Sequence, residues 1–411
     1  MDIISHIVSF LISLWPLWLP FLLGKFFFRI WNRYKEESFV FEKMGPENYV
    51  MLELQLPRNI FRSPRGMEFI IDILWDISGG AMGWQQRLLY GAVLKTNSLE
   101  IVSIEGSVYF FLRVQKSLAH LVKNTLYSQY PNVEINEVDD YTRYVPDLTK
   151  HLDTWNLFGM DYKLTSDDFV PIRTYIDYGL DKVGTVEEEE KIDPIIPLLE
   201  LFGSIGKGEQ IWLQIIVRAD VFSDWRKRAK AYIDQLIGKT GSDDDSSLQI
   251  SKLSPGEREK IKAIERSLSK YGFEAVLRSL YLAPKDYFKG ESIGILAHSF
   301  KPFNSQYHNS IIPRATTAVV WKYQDLTGRK KDLLREVFFR DYVNRESFYE
   351  DPIKSYHPLL KNLRNRPSVI FTSEELATLF HLPGRATTTS GIKRIDSLKA
   401  EPPRNLPLAE S

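Results

Sequence analysis

Residues 98–114 read SLEIVSIEGSVYFFLRV, which is two short apolar runs joined at Glu105-Gly106. Each run is rich in β-branched and aromatic residues, and a Glu-Gly pair between such runs is a turn signal. The stretch therefore predicts a β-hairpin. This hairpin decides the fold, because a helical segment flanks it on each side.

Working outward, the elements around the hairpin follow a recognisable order. Residues 49–56 end in an alternation of apolar and polar residues, which predicts a strand. The capping signal Ser63-Pro64 then predicts the start of a helix at 63–77. Beyond the hairpin, an apolar stripe at 118–126 predicts a second helix and 133–138 a last strand. The order strand, helix, strand, strand, helix, strand is that of a ferredoxin-like (split βαβ) fold, which predicts a first module at 46–142.

A second module is predicted at 165–303. A strand at 169–178, a helix at 193–202 and a strand at 210–218 open it. Where the first module has its hairpin, residues 219–271 predict a helical insertion whose second helix opens with the capping box at Ser254 and Glu257. A strand at 273–283 and a helix at 284–300 complete this second ferredoxin-like module, so the fold class is α+β.

The N-terminal segment, residues 1–35, predicts a membrane anchor. Ile3–Gly24 contains 22 residues without a formal charge, and about 20 suffice for a transmembrane helix. Basic residues follow the run directly, so we expect a single-pass helix in the inner membrane with its N-terminus outside and the bulk of the chain in the cytoplasm. A cleaved signal peptide, an interfacial helix and a re-entrant hairpin are the alternatives. The expected anchor residues are Trp15, Trp18, Lys25, Arg29, Trp31 and Arg33.

The C-terminal region at 313–384 is predicted to be helical and basic. Residues 313–366 contain 12 Lys or Arg and 7 Asp or Glu, and 330–342 have helical spacing. A capping box at Thr372–Glu375 predicts a short helix. Such a helix must pack on the chain's own core or on a partner. Residues 385–411 have the polar, proline-containing composition of a flexible tail. The candidate docking residues on one face of the short helix are Leu376, Leu379 and Phe380.

Composition and motifs exclude several classes of chemistry. The chain has 411 residues, 53 basic and 53 acidic residues, and no cysteine, which rules out disulfides and thiol catalysis. The glycine–lysine segments 203–208 and 238–240 lack the spacing and the strand-to-helix context of a phosphate-binding loop. Neither histidine metal motifs nor a nucleophile elbow occur. We therefore predict no catalytic residues, no cofactor and no metal.

Several segments resemble one bacterial family. The similarity spans residues 50–405 and resembles the N-terminal, membrane-anchored region of type IV secretion and conjugative coupling-type ATPases. In that family the closing segment leads directly into a hexameric P-loop motor, whereas this chain has no P-loop. The segments that carry the resemblance are Leu52–Arg58, Phe61–Pro64, Ser98–Gly106, Tyr130–Ile135, Ser373–Pro383 and Lys399–Pro403.

The resemblance implies a non-catalytic, membrane-anchored scaffold that docks a P-loop secretion or conjugation ATPase. The expected partners are the lipid bilayer, that ATPase and, in a homo-oligomer, further copies of the chain. The alternative is a membrane-tethered nucleic-acid-binding module that uses the basic region at 313–366, which a charge excess of this size does not favour. An enzyme of another type is the third hypothesis, against which the missing motifs argue.

Overall fold

The computed structural model describes residues 15–43, 45–57, 63–79, 84–181, 192–237, 253–318, 325, 327–346, 348, 368–384 and 394–395. The chain divides into two compact units, one made of Met1–Tyr49 and Gly80–Lys95 and the other of Val50–Gly79 and Thr96–Ser411.

The first unit is helical. Its long helix, α1, covers Trp15–Lys43, and a short helix, α3, covers Trp84–Tyr90. A single turn of 3₁₀ helix at Pro46–Asn48 follows α1, and the Asn48 side chain donates to the carbonyl of Glu42 at 3.1 Å.

The predicted transmembrane helix is wrong. Among the residues that the structure describes, no helix combines the length and the apolarity that a membrane crossing requires. Within the described part of α1, the basic residues Lys25, Arg29 and Arg33 interrupt the apolar sequence every four residues. The earlier part of the predicted span, residues 3–14, lies outside the described residues.

The second unit is organised around a nine-stranded antiparallel sheet, counted over the described residues. The order of neighbours is β1-β3-β2-β6-β7-β5-β8, with β4 paired to β1 and β9 to β7; a two-residue strand, β10, adds in parallel to the end of β1. The strands are β1 Tyr49–Pro57, β2 Asn97–Ile104, β3 Ser107–Gln115, β4 Glu134–Val138, β5 Trp155–Leu164, β6 Gln210–Ala219, β7 Gly272–Pro284, β8 Ile311–Thr316, β9 Val369–Thr372 and β10 Arg394–Ile395.

The hairpin at 98–114 is confirmed. Strands β2 and β3 pair in antiparallel register from Ser98↔Arg113 to Ile104↔Ser107. Glu105 and Gly106 form the turn with φ values of 53° and 85°, which suits the right-handed twist of the strands. A side chain at Gly106 would also lie 2.9 Å from the carbonyl oxygen of Ile205, so glycine is required there for space as well as for conformation.

Strands β2 and β6 join the two halves of the sheet. They pair antiparallel over the whole length of β2, from Asn97↔Val217 to Ile104↔Gln210. The first half has the order β4-β1-β3-β2 and the second the order β8-β5-β7-β6, so each half repeats one pattern. The predicted fold class is therefore corrected on a second point, because one continuous sheet replaces the sheets of two separate modules.

The second half also begins at a different strand from the one predicted. Residues 169–178 form turns, in which the backbone N–H of Thr174 donates to the Asp177 carboxylate at 3.0 Å. The opening strand is β5, which contains Gly159 and carries polar residues at Asp161 and Lys163. A glycine inside the strand and charged residues near its end weaken the apolar pattern, which explains why this strand was missed.

Helices cover both faces of the sheet. The helices of this unit are α2 Arg65–Gly79, α4 Ala119–Gln129, α5 Ile195–Gly203, α6 Trp225–Ile237, α7 Pro255–Leu268, α8 Ile293–His298, α9 Arg329–Val343 and α10 Ser373–Leu379. One face of the sheet packs on α2, α4, α5, α8 and α10, and the opposite face packs on α9. Helices α6 and α7 form a satellite core with Phe169, Val170 and Ile370.

Candidate functional site

The closing segment, residues 368–384, is built into the sheet. Strand β9 pairs with the start of β7 from Gly272↔Thr372 to Ala275↔Val369. Helix α10 follows at once, because the Thr372 hydroxyl accepts from the N–H of Glu375 and the Glu375 carboxylate accepts from the N–H of Thr372 at 2.8 Å. The capping box predicted at Thr372–Glu375 is confirmed.

The three predicted docking residues lie inside the chain's own core. Leu376, Leu379 and Phe380 are each no more than 1% exposed. The ring of Phe380 packs edge to face on Phe110 of β3, with the ring centres 5.8 Å apart. Of the two packing partners that the sequence leaves open, the structure therefore places these side chains against the core rather than at a surface.

Charged side chains from four parts of the chain meet at α10. Arg266, near the end of α7, donates from Nη2 to Asp177 and from Nε to Glu374, each at 2.9 Å. Lys270 lies 2.6 Å from Oε1 of Glu68 on α2 and 3.8 Å from Oε2 of Glu374. We call Glu68, Asp177, Arg266, Lys270 and Glu374 the ionic cluster. It ties α2, the turn at 174–177, the end of α7 and α10 to one another.

Burial sets the electrostatics of the ionic cluster. It raises the pKa of Glu374 above its usual value, although the Thr174 hydroxyl and the Arg266 guanidinium favour the ionised form. Tyr175 donates a short hydrogen bond to Glu68, and burial together with the Glu68 charge raises the pKa of the phenol. Burial lowers the pKa of His308, whose Nε2 is 3.9 Å from Asp177. The imidazole is therefore neutral at pH 7.

A second buried carboxylate lies on the opposite face of the sheet. Glu100 is fully buried on β2 and binds Arg345 in two places, at 3.1 Å from Nε and 3.2 Å from Nη2. The amide of Gln214 on β6 donates to it at 3.0 Å, and Arg345 also bonds Asp140. Arg345 lies two residues beyond the end of α9, so this network fixes that end of the helix to the middle of the sheet.

The other residues predicted to bear function are distributed elsewhere. Trp15, Trp18, Lys25, Arg29, Trp31 and Arg33 all lie on α1, in the other compact unit. Within the basic region, α9 packs on the sheet through Leu334, Val337 and Phe338, whereas residues 349–367 are outside the described part. Lys207 lies in the loop between α5 and β6, and Lys239 is outside the described part.

The described residues contain no cluster of three or more His, Asp or Glu side chains able to hold a metal ion. The ionic cluster combines carboxylates with an arginine and a lysine that compensate their charge. Chemically, this arrangement serves to hold chain segments together.

Sequence reasoning missed the ionic cluster, because its partners are far apart along the chain. Glu68 and Lys270 are separated by 202 residues, and Arg266 and Glu374 by 108. One signal was available. Glu374 and Glu375 are the two acidic residues of a segment that otherwise combines apolar, hydroxyl and histidine side chains, and buried carboxylates require partners from elsewhere in the chain.

Comparison with known proteins gives one family. No curated protein compared with the chain shows significant similarity to it. A family model described as a domain of unknown function, DUF8128, matches residues 83–394, about three quarters of the chain. The match runs from the first unit's short helix α3 through to β10 and includes the closing segment with α10. The chain therefore belongs to the DUF8128 family.

Proposed function

We propose that this chain is a non-enzymatic scaffold that docks a P-loop ATPase of the secretion or conjugation type. The observation that carries the proposal is the anchoring of the closing segment, residues 368–384. Its strand is paired in the sheet, its helix is in the core and Glu374 is in the ionic cluster.

The ATPase is proposed as the partner because of the sequence resemblance to coupling-type ATPases. In the resembling ATPases, a segment of this kind leads directly into the motor. We propose that this closing segment, which is paired, buried and ion-paired, transmits force from the docked motor into the sheet. Leu376, Leu379 and Phe380 are buried, and we propose that their apolar side chains serve this anchoring.

Co-purification tests the proposal. The full chain, tagged at its N-terminus, is co-expressed with a secretion- or conjugation-type P-loop ATPase of the same organism, and the pair is analysed by size exclusion with light scattering. We expect a stable complex of the two proteins. A matched variant that ends after residue 384 keeps the anchored segment and tests whether residues 385–411 contribute to the complex.

Two outcomes would contradict the scaffold. One is the absence of any complex when both proteins are folded. The other is ATP hydrolysis by the purified chain alone that is lost on Lys207→Ala or Lys239→Ala, because that would make the chain itself the ATPase.

The nucleic-acid-binding alternative has less support. On α9, Arg335 pairs with Asp332 at 3.4 Å, and the apolar residues of the helix face the sheet. Part of the predicted basic surface is therefore occupied by contacts with other residues of the same chain.

A further inference from the structure

Helix α1 exposes large apolar side chains on several sides. Phe21 is 76% exposed and Phe27 62%, and the exposure continues along the helix. Scattered apolar residues on a surface are ordinary, but a contiguous set of this size marks an interaction site. The exposed set is Phe21, Leu22, Leu23, Phe26, Phe27, Phe28, Ile30, Trp31 and Tyr34.

The middle of α1, residues 25–34, places basic and apolar residues on different sides. Residues 25, 29 and 33 are all basic and follow one another four apart, so they occupy one stripe along the helix. Phe27, Trp31 and Tyr34, spaced four and three apart, lie together on another side. Between residues 15 and 35 there is no acidic residue.

This combination fits a lipid surface. Aromatic rings favour the headgroup layer of a bilayer, and basic residues are attracted to anionic lipids. Lysine and arginine can also extend past apolar neighbours to reach phosphate groups. In the same helix, the Lys35 ammonium lies 5.2 Å from the centre of the Trp31 ring, so a cation and an aromatic ring already adjoin at this surface.

We infer that α1 lies along the surface of an anionic lipid bilayer, with its Phe27–Trp31–Tyr34 side in the headgroup layer and the positive charge of positions 25, 29 and 33 giving it a preference for anionic lipid. The inference does not depend on the proposed ATPase partner. It concerns a helix that rests on the bilayer surface.

Vesicle flotation with the full chain tests this inference. The probes are vesicles of equal parts phosphatidylglycerol and phosphatidylcholine, and vesicles of phosphatidylcholine alone. We expect binding to the anionic vesicles that weakens at high salt, with at least tenfold weaker binding to the neutral ones. Alkaline carbonate should release the bound protein.

Two variants separate the contributions of the aromatic and the basic side chains to vesicle binding. Phe27→Ser with Trp31→Ser should weaken binding to both kinds of vesicle. Replacing Lys25, Arg29 and Arg33 with glutamine should abolish the preference for anionic vesicles. The matched control is Tyr144→Ser with Tyr307→Ser, which removes two exposed aromatic rings outside α1 and should bind as the native chain does. Unchanged thermal unfolding shows that each variant is folded.

Several results would overturn the inference. The inference is wrong if the native chain fails to float with anionic vesicles. It is also wrong if alkaline carbonate does not release the bound protein from the vesicles. A lipid-free dimer that the Phe27→Ser, Trp31→Ser variant dissociates, without any flotation of the native chain, would assign the surface to a second copy instead.

Discussion

Nε2 of His381 lies 3.1 Å from both carboxylate oxygens of Asp193, which is 188 residues earlier in the chain. The other ring nitrogen, Nδ1, is 2.9 Å from the carbonyl oxygen of Ala377. Because both ring nitrogens face acceptors, this buried site favours the protonated imidazole. Burial by itself lowers the pKa of His381, but the Asp193 carboxylate and the Ala377 carbonyl together raise it above its usual value.

The His381–Asp193 pair should make stability depend on pH in both directions. A raised histidine pKa contributes stability below about pH 6.5 that is lost as the pH rises through the folded-state pKa. Burial raises the pKa of Asp193, but the His381 charge outweighs this and lowers it, so its contribution is lost as the pH falls through that lowered pKa. Asp193→Asn should therefore cost about 3 kcal/mol near pH 6 and less at high pH.

Urea unfolding followed by tryptophan fluorescence, between about pH 5 and pH 9, measures this effect. The control is Asp286→Asn, which changes an exposed aspartate and should leave the curve unchanged. A loss in Asp193→Asn that is the same at every pH would show that the ion pair is not its cause.

Ionisation of Asp72 on α2 should lower the free energy of unfolding. Burial, reinforced by the charge of Glu68, raises the pKa of Asp72 to about 6. The folded state then binds more protons than the unfolded state between about pH 4 and pH 6, so stability falls as the pH rises through this range. Asp72→Asn should be more stable than the native chain by about 1–2 kcal/mol at pH 8, allowing for partial exposure, and nearly equal to it at about pH 4.

Thermal unfolding at these two pH values provides the measurement. Asp76→Asn, one turn further along the same helix and exposed, is the matched control. If Asp72→Asn gave no gain at pH 8, burial would not be raising the pKa of this carboxyl group, and the prediction would be wrong.

Local signals in the sequence predicted a good part of this structure. The hairpin at 98–114, the capping boxes at Ser254 and Thr372 and the helix at 330–342 depend on neighbouring residues, and the structure has each of them close to the predicted position. These features need only turn chemistry, capping and periodicity.

What the sequence did not predict depends on contacts between distant residues. Whether α10 packs on the core or on a partner cannot be read from Leu376, Leu379 and Phe380, since both surfaces require the same apolar spacing. The pairing of β2 with β6, which joins the two halves of the sheet, cannot be predicted either. An apolar pattern predicts a buried strand but does not identify its neighbour in the sheet. The transmembrane prediction for the first 35 residues failed for a related reason. An apolar composition predicts that side chains are buried, but it does not indicate whether lipid or protein covers them.

Helix α10 provides a direct test of its structural role. Leu379→Ala and Phe380→Ala should each reduce the free energy of unfolding by about 3–5 kcal/mol, because both side chains are buried and leave cavities. Chemical denaturation measures the loss. Leu121→Ala, which truncates a leucine that is 46% exposed on α4, should cost much less. Loss of ATPase binding with unchanged stability would instead place these side chains at the partner.

The contact between β5 and α9 requires a glycine at position 159. A Cβ built on Gly159 would overlap the ring of Phe338, with Cε1 of that ring 2.8 Å away. Phe338 is fully buried in the core between the sheet and α9, so the ring has little room to move. Gly159→Ala should therefore destabilise the protein by about 1–3 kcal/mol through overpacking.

The same substitution at Gly294 should have the opposite sign. Gly294 lies inside α8 with nothing within 4 Å of an added Cβ, so alanine there gains helix propensity of about 0.5–1 kcal/mol without a clash. Urea unfolding of the two variants measures both effects under one condition. Combining Gly159→Ala with Phe338→Leu should recover part of the loss, because the smaller side chain vacates the space that the new methyl group needs. If Gly159→Ala were as stable as the native chain, α9 would not pack on β5 as closely as the structure has it.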